Sequence, residues 1–162
     1  MSTADQLLLF LHVGFAIFAL GPLTAAIMST PRYIRQGNVT VLRYLNRITR
    51  LYGMLALGVF LFGLFLSRGR FAEAWLSASM TLFLVSLVLL LLVERDQRKA
   101  AHLLEAAAAG DAAAGEAQAG AQEKTAAARQ EVAQVERGRI AAISGVIGLL
   151  WVVTLLLMIW YG

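Results

Sequence analysis

Two histidines, His12 and His102, are the only imidazoles in the 162-residue chain, and there is no cysteine. Without thiols there can be no disulfide, thiolate metal site, iron–sulfur ligation or thioether-linked haem. Imidazole remains, and it is the common axial ligand of b-type haem. His12 sits in LHVGFAIFALGP, an apolar run closed by Gly21 and Pro22. It is the one ionisable side chain deep in such a run, and an ionisable group inside a membrane is by default a functional hypothesis. His102 lies in a polar stretch after the third apolar run. At ~1.5 Å of rise per helical residue, roughly 24 Å of membrane and about 14 Å beyond it separate the two histidines. They cannot ligate one iron within a single chain.

A His–Met pair survives the same arithmetic. Met80 enters the third run as deeply as His12 enters the first, and Met158 lies shallower on the fourth. Two readings of His12 therefore stand side by side. It is either a cofactor contact, to haem b or a quinone, with Met80 as second ligand, or a neutral imidazole bonded to Thr81, Thr154 or a backbone carbonyl. A proton relay would need a second titratable group in the spans. Trp151 falls near mid-membrane, where its indole N–H needs an acceptor, and Ser86 is the candidate at that depth. No Walker loop, GxSxG, HExxH or dinucleotide fingerprint occurs, no complete catalytic set is present and no metal-ligand cluster is read. No span holds a buried carboxylate or lysine to bind or gate an ion.

The elements that must position these residues follow from hydropathy. The chain is 59% hydrophobic and 15% charged, with mean hydropathy +0.71, where soluble domains are about a quarter charged. Apolar runs cover 7–28, 48–66, 75–93 and 140–161. Each is near the ~20 residues a helix needs to cross a bilayer, and helices satisfy their own backbone in lipid. The expected fold is all-α: one integral-membrane four-helix bundle over 1–162. The first run is longer than a signal-peptide core and lacks preceding basic residues, so it reads as a retained span.

All but Arg68 and Arg70 of the 14 basic residues flank the spans on one side. Basic flanks stay cytoplasmic, so both termini are expected in the periplasm. Trp75, Trp160 and Tyr161 would form one aromatic belt, and Tyr33, Tyr44 and Tyr52 the other. From Thr40, Leu42, Leu45 and Ile48 share one helical face, while Arg43, Arg47 and Arg50 share another. These arginines are expected to face anionic lipid head groups. Nucleic acid is not an expected partner, for no recognition motif is present. Asn38-Val39-Thr40 matches a glycosylation sequon but falls on the basic side, where it reads as chance.

Residues 94–138 are polar and rich in alanine, the best helix former. Glu94 and Arg98 have the favourable i,i+4 order. The third span should continue to about Ala109 and helix should resume near Ala121, an extended cytoplasmic hairpin whose tip carries Gly110, Gly115 and Gly120. Gly14 and Gly21 lie a heptad apart on span one, and Gly58 and Gly63 punctuate span two. Small residues let helices approach closely in lipid, so all four are helix-packing candidates. Pro22 should loosen the first helix near its middle.

The stretch LHVGFAIFALGPLTAAIMSTPRYIR, with its His–Gly-Pro spacing and basic exit, resembles the start of a bacterial family of predicted integral membrane proteins, domain of unknown function 2269. The likeness covers mainly Leu7 to Leu66 and implies a bacterial inner-membrane location without an activity. The order His12, Gly21, Pro31, Arg32 is more distantly similar to the four-helix haem-linked protoporphyrinogen oxidases. That likeness implies His12 as a haem ligand, yet no span here holds the lysine such an enzyme is expected to place there. The sequence expectation is an accessory or structural subunit of a membrane complex, such as a respiratory one, with the lipid bilayer, other membrane subunits or further copies of itself as partners. The alternative is a haem- or porphyrin-binding membrane protein using His12.

Overall fold

The computed structural model describes residues 3–112 and 119–161, with side chains throughout except for most of 110–136. Every element among them is helical. The first span runs from Thr3 to Arg35 in three pieces. These are α1 (Thr3–Phe15), a π-helical segment (Ala16–Leu20) and α2 (Gly21–Arg35). Then come α3 (Val39–Leu66), α4 (Ala74–Ala112) and α5 (Ala119–Tyr161). Four of these helical stretches are long and apolar enough to cross a membrane, and within each apolar window only 11% to 33% of residues are buried. Phe10, Phe18, Leu91, Leu149 and Ile159 are all more than 60% exposed. An apolar exterior of this extent suits hydrocarbon and not water.

The π segment has a local cause. Pro22 offers no N–H, and its ring would strike the Phe18 carbonyl four residues back. A wider turn just before Gly21-Pro22 removes that clash, so the loosening expected from Pro22 takes the form of Ala16–Leu20. Pro31 acts differently. It leaves the Ile27 carbonyl without its usual partner, and Ser144 Oγ on α5 donates to that oxygen at 3.3 Å. A proline thus becomes an interhelical tie. Gly37, at φ +64°, closes α2, a position L-residues with a side chain rarely take. Asn38 caps α3, its Oδ1 accepting from Val41 N at 3.1 Å. The asparagine of the chance sequon is a helix cap.

Each helix packs against its neighbours in sequence, and α2 closes the ring against α5. The shared core includes Leu23 and Ile27 of α2, Leu42 and Val59 of α3, Phe83 and Val93 of α4, and Ile140, Ile147 and Trp151 of α5. Leu42 and Leu45 turn inward as their spacing predicts, and Arg47 and Arg50 stay exposed. Arg43 departs from the lipid-facing expectation. It pairs with Glu105 of α4 at 2.5 Å, because α4 runs well past its apolar window and brings a carboxylate alongside α3.

That continuation places Gly110 inside α4 and Gly120 inside α5, while Gly115 lies outside the described residues. It also creates a polar layer. Gln97 is fully buried, its Nε2 donating to Thr30 Oγ1 at 2.7 Å and Thr49 Oγ1 at 3.2 Å. Asn46 Nδ2 donates to the Glu94 carbonyl at 2.9 Å. Beside it, Asp96, 1% exposed, accepts from both Nε and an Nη of Arg139. Residues from α2, α3, α4 and α5 meet in this layer, at the end of the bundle that carries the basic loops.

Candidate functional site

Toward the opposite end, where α1 begins and α5 stops, the bundle is less full. A cavity of about 100 Å³, open to the exterior, is lined by His12, Ala16 and Leu20, by Val59, Phe60 and Gly63 of α3, by Leu76, Ser79, Met80 and Phe83 of α4, and by Trp151, Thr154, Leu155 and Met158 of α5. The lining is almost wholly apolar. Ser79 and Thr154 turn their hydroxyls back onto the carbonyls of Trp75 and Leu150, each at 2.8 Å, as membrane helices commonly do.

His12 and Trp151 are therefore the lining side chains with a polar atom to offer, and the Trp151 Nε1 is a donor only. The His12 Nδ1 lies 2.9 Å from the Val59 carbonyl. A carbonyl only accepts, so Nδ1 carries the proton and the neutral ring keeps its lone pair on Nε2. That second nitrogen bonds to no other described residue. Gly63 makes the arrangement possible, because a Cβ at this position would stand 3.0 Å from His12 Cε1. One turn deeper, Phe15 lies over Gly58, where a Cβ would come to 2.7 Å from Cδ1 of its ring. Phe15 also meets Phe62 at a centroid distance of 5.1 Å. A histidine, a phenylalanine and two glycines thus seat α1 on α3.

The structure brings His12 and Met80 to the same cavity, with Met158 and Thr154. Thr81 is elsewhere, exposed and donating to the Ser77 carbonyl. Of the acceptors considered for the ring, the backbone carbonyl is the one used. His102 stands far along α4, exposed, its Nδ1 4.0 Å from Glu105. Two expectations need correction. Gly14 and Gly21 do not seat a neighbouring helix, for a Cβ at either meets nothing within 4 Å. Ser86 does not serve Trp151. It bonds to the Leu82 carbonyl, and the buried Trp151 Nε1 has no partner among the described residues.

The site can be asked whether it fits haem b. A metal-bound histidine nearly always donates its other N–H to a carbonyl or carboxylate, which fixes the ring and its tautomer. His12 has that arrangement through Val59, and it lines an apolar cavity together with two thioethers. These residues fit the group. No cluster of three metal-ligating His, Cys, Asp or Glu side chains occurs among the described residues, so a bare metal ion has no such site. Compared with family models, curated proteins and solved structures, the chain matches none.

Proposed function

We propose that the protein is a membrane-embedded binding protein for a lipophilic ring compound, with haem b held by His12 as the form to be tested. One observation carries this reading: the His12 ring is fixed through Nδ1–H by the Val59 carbonyl, its Nε2 has no partner among the described residues, and the side chain lines an apolar cavity. His12 would hold the group, Gly63 would leave room for the imidazole, and Met80 and Met158 share the lining with them. Bound there, haem b supplies a redox-active iron. The likeness to the family of unknown function, and more distantly to the haem-linked oxidases, belongs to the same proposal.

The absorption spectrum of protein purified after expression with ample haem is the test. A Soret band that disappears in His12→Ala is the expected result. A colourless wild-type protein would sink the haem reading. The accessory-subunit reading rests on a packed bundle, small-residue faces and the lack of a complete catalytic set, and co-purification with partners in mild detergent would favour it.

Location in a bacterial inner membrane with both termini periplasmic is proposed from the one-sided arginines and lysines. The cysteine-free chain makes the orientation simple to check. Gly37→Cys should resist an impermeant maleimide added to intact cells, and its labelling from outside would reverse the assignment.

A further inference from the structure

We infer that the ligand reaches His12 sideways, from the hydrocarbon layer, through a cleft between the first helix and α5. The inference rests on the binding role proposed for His12. No Cα of residues 3–20 lies within 8 Å of a Cα of α5 among the described residues, whereas α2 packs directly on α5. The change falls at the π segment. Beyond it toward the basic end, Met28 Cε would lie 2.9 Å from a Cβ at Gly148, and Ser144 ties α5 to Ile27. On the other side of it the two helices part.

The separation is built into the contacts of α1. Asp5 pairs with Arg68 in the α3–α4 turn, His12 bonds Val59, and Phe15 rests on Gly58. Each fastening draws α1 onto α3 or the turn that follows it, and none draws it toward α5. The lips of the cleft are Ala16 and Leu20 on one side and Trp151 and Leu155 on the other, all lining the His12 cavity. Leu155 is also 57% exposed on the outer surface, so the cavity and the bundle exterior share a residue. A lining this apolar admits a molecule already dissolved in lipid, a flat lipophilic ring, more readily than one arriving from water. The π turn that relieves Pro22 thus also aims α1 away from α5, which agrees with the frequent occurrence of π turns at functional sites.

The test uses the full chain in vesicles of phosphatidylcholine preloaded with haem, following the Soret band with time. In the Ala16→Cys, Leu155→Cys double variant the two Cα atoms exceed the ~7 Å limit for a disulfide, so oxidant alone should not join them. A bis-methanethiosulfonate spacer should. The bridged protein should take up haem about tenfold more slowly, as expected when association has to wait on an obstructed path. Reduction should restore the rate. Ala16→Phe, which fills the lip without a cross-link, should slow uptake in the same direction. An unchanged uptake rate in bridged protein that still forms the His12-dependent band would overturn the lateral route alone. A spontaneous disulfide would also overturn it, by showing the helices in contact. A wild-type protein that binds no haem would overturn the binding role and the route together.

Discussion

At the basic end, Gln97 reaches from α4 to hydroxyls on α2 and α3, and Asp96 grips Arg139 of α5. At the terminal end, His12 reaches one carbonyl of α3 and leaves its second nitrogen unpaired. Both are polar groups among apolar helices. In the first layer the protein itself supplies nearly every partner, and the four helices are drawn together. In the second, one partner is withheld, the ring lines a cavity and the first helix parts from α5. Buried polar groups that are fully bonded rigidify a core, while an unmatched one needs an explanation. The basic half is therefore the better-fastened one, and the terminal half holds the proposed site.

The largest expected effect tests the basic half. Arg139→Ala leaves the 1%-exposed Asp96 carboxylate without its bidentate, half-exposed partner, and a buried charged acceptor left unsatisfied costs about 3 kcal/mol. Thermal unfolding in detergent should register it as a large drop in midpoint. Gln97→Leu keeps the volume and removes the bonds to Thr30 and Thr49, a cost of about 1–3 kcal/mol. Neither change touches the His12 cavity, so the haem spectrum of whatever folds should be that of wild type. A shifted Soret band in Gln97→Leu would break the division between halves.

Gly58→Ala comes next and acts on the seam between α1 and α3. Its new methyl would sit 2.7 Å from Cδ1 of the Phe15 ring, and overpacking of this kind costs about 1–3 kcal/mol. His12→Ala should be milder for the fold, about 0.5–1.5 kcal/mol for one hydrogen bond, while abolishing the band. A destabilisation as large as that of Arg139→Ala would mean that His12 is a structural residue after all.

The fold was legible because four apolar runs of spanning length have one physical solution in lipid, and Pro22 marked the place where the first helix opens. The polar layer was not legible from hydropathy, since Asp96 and Gln97 follow the third span and read as solvated. A finer signal was present. Leu90, Val93, Gln97, Ala100 and Leu104 keep a three-four spacing, so the buried face of α4 continues with a polar residue in it. His12 could be given a depth from the sequence but no neighbour, because depth along the membrane normal says nothing about which helix lies beside which. The pairing with Val59 depends on α1 packing on α3, and only Gly58 and Gly63 hinted at that. Gly14 and Gly21 offered the same hint on the other side of the pair, and there it misled.

The smallest effects concern those glycines. Gly14→Ala and Gly21→Ala place a methyl in open space, and Gly21 already has helical angles, φ −60° and ψ −63°. Alanine is favoured over glycine in a helix interior by about 1 kcal/mol, so both variants should unfold at or slightly above the wild-type midpoint. Gly63→Ala has a different outcome for the same chemistry, because its methyl lies 3.0 Å from His12 Cε1. The imidazole must tilt by a few tenths of an ångström about its bond to Val59, and Nε2 moves with it. The stability change should be small while the Soret maximum shifts or weakens. If Gly14→Ala and Gly63→Ala gave the same spectrum, His12 would not be the ligand, for only one of the two methyls can reach it.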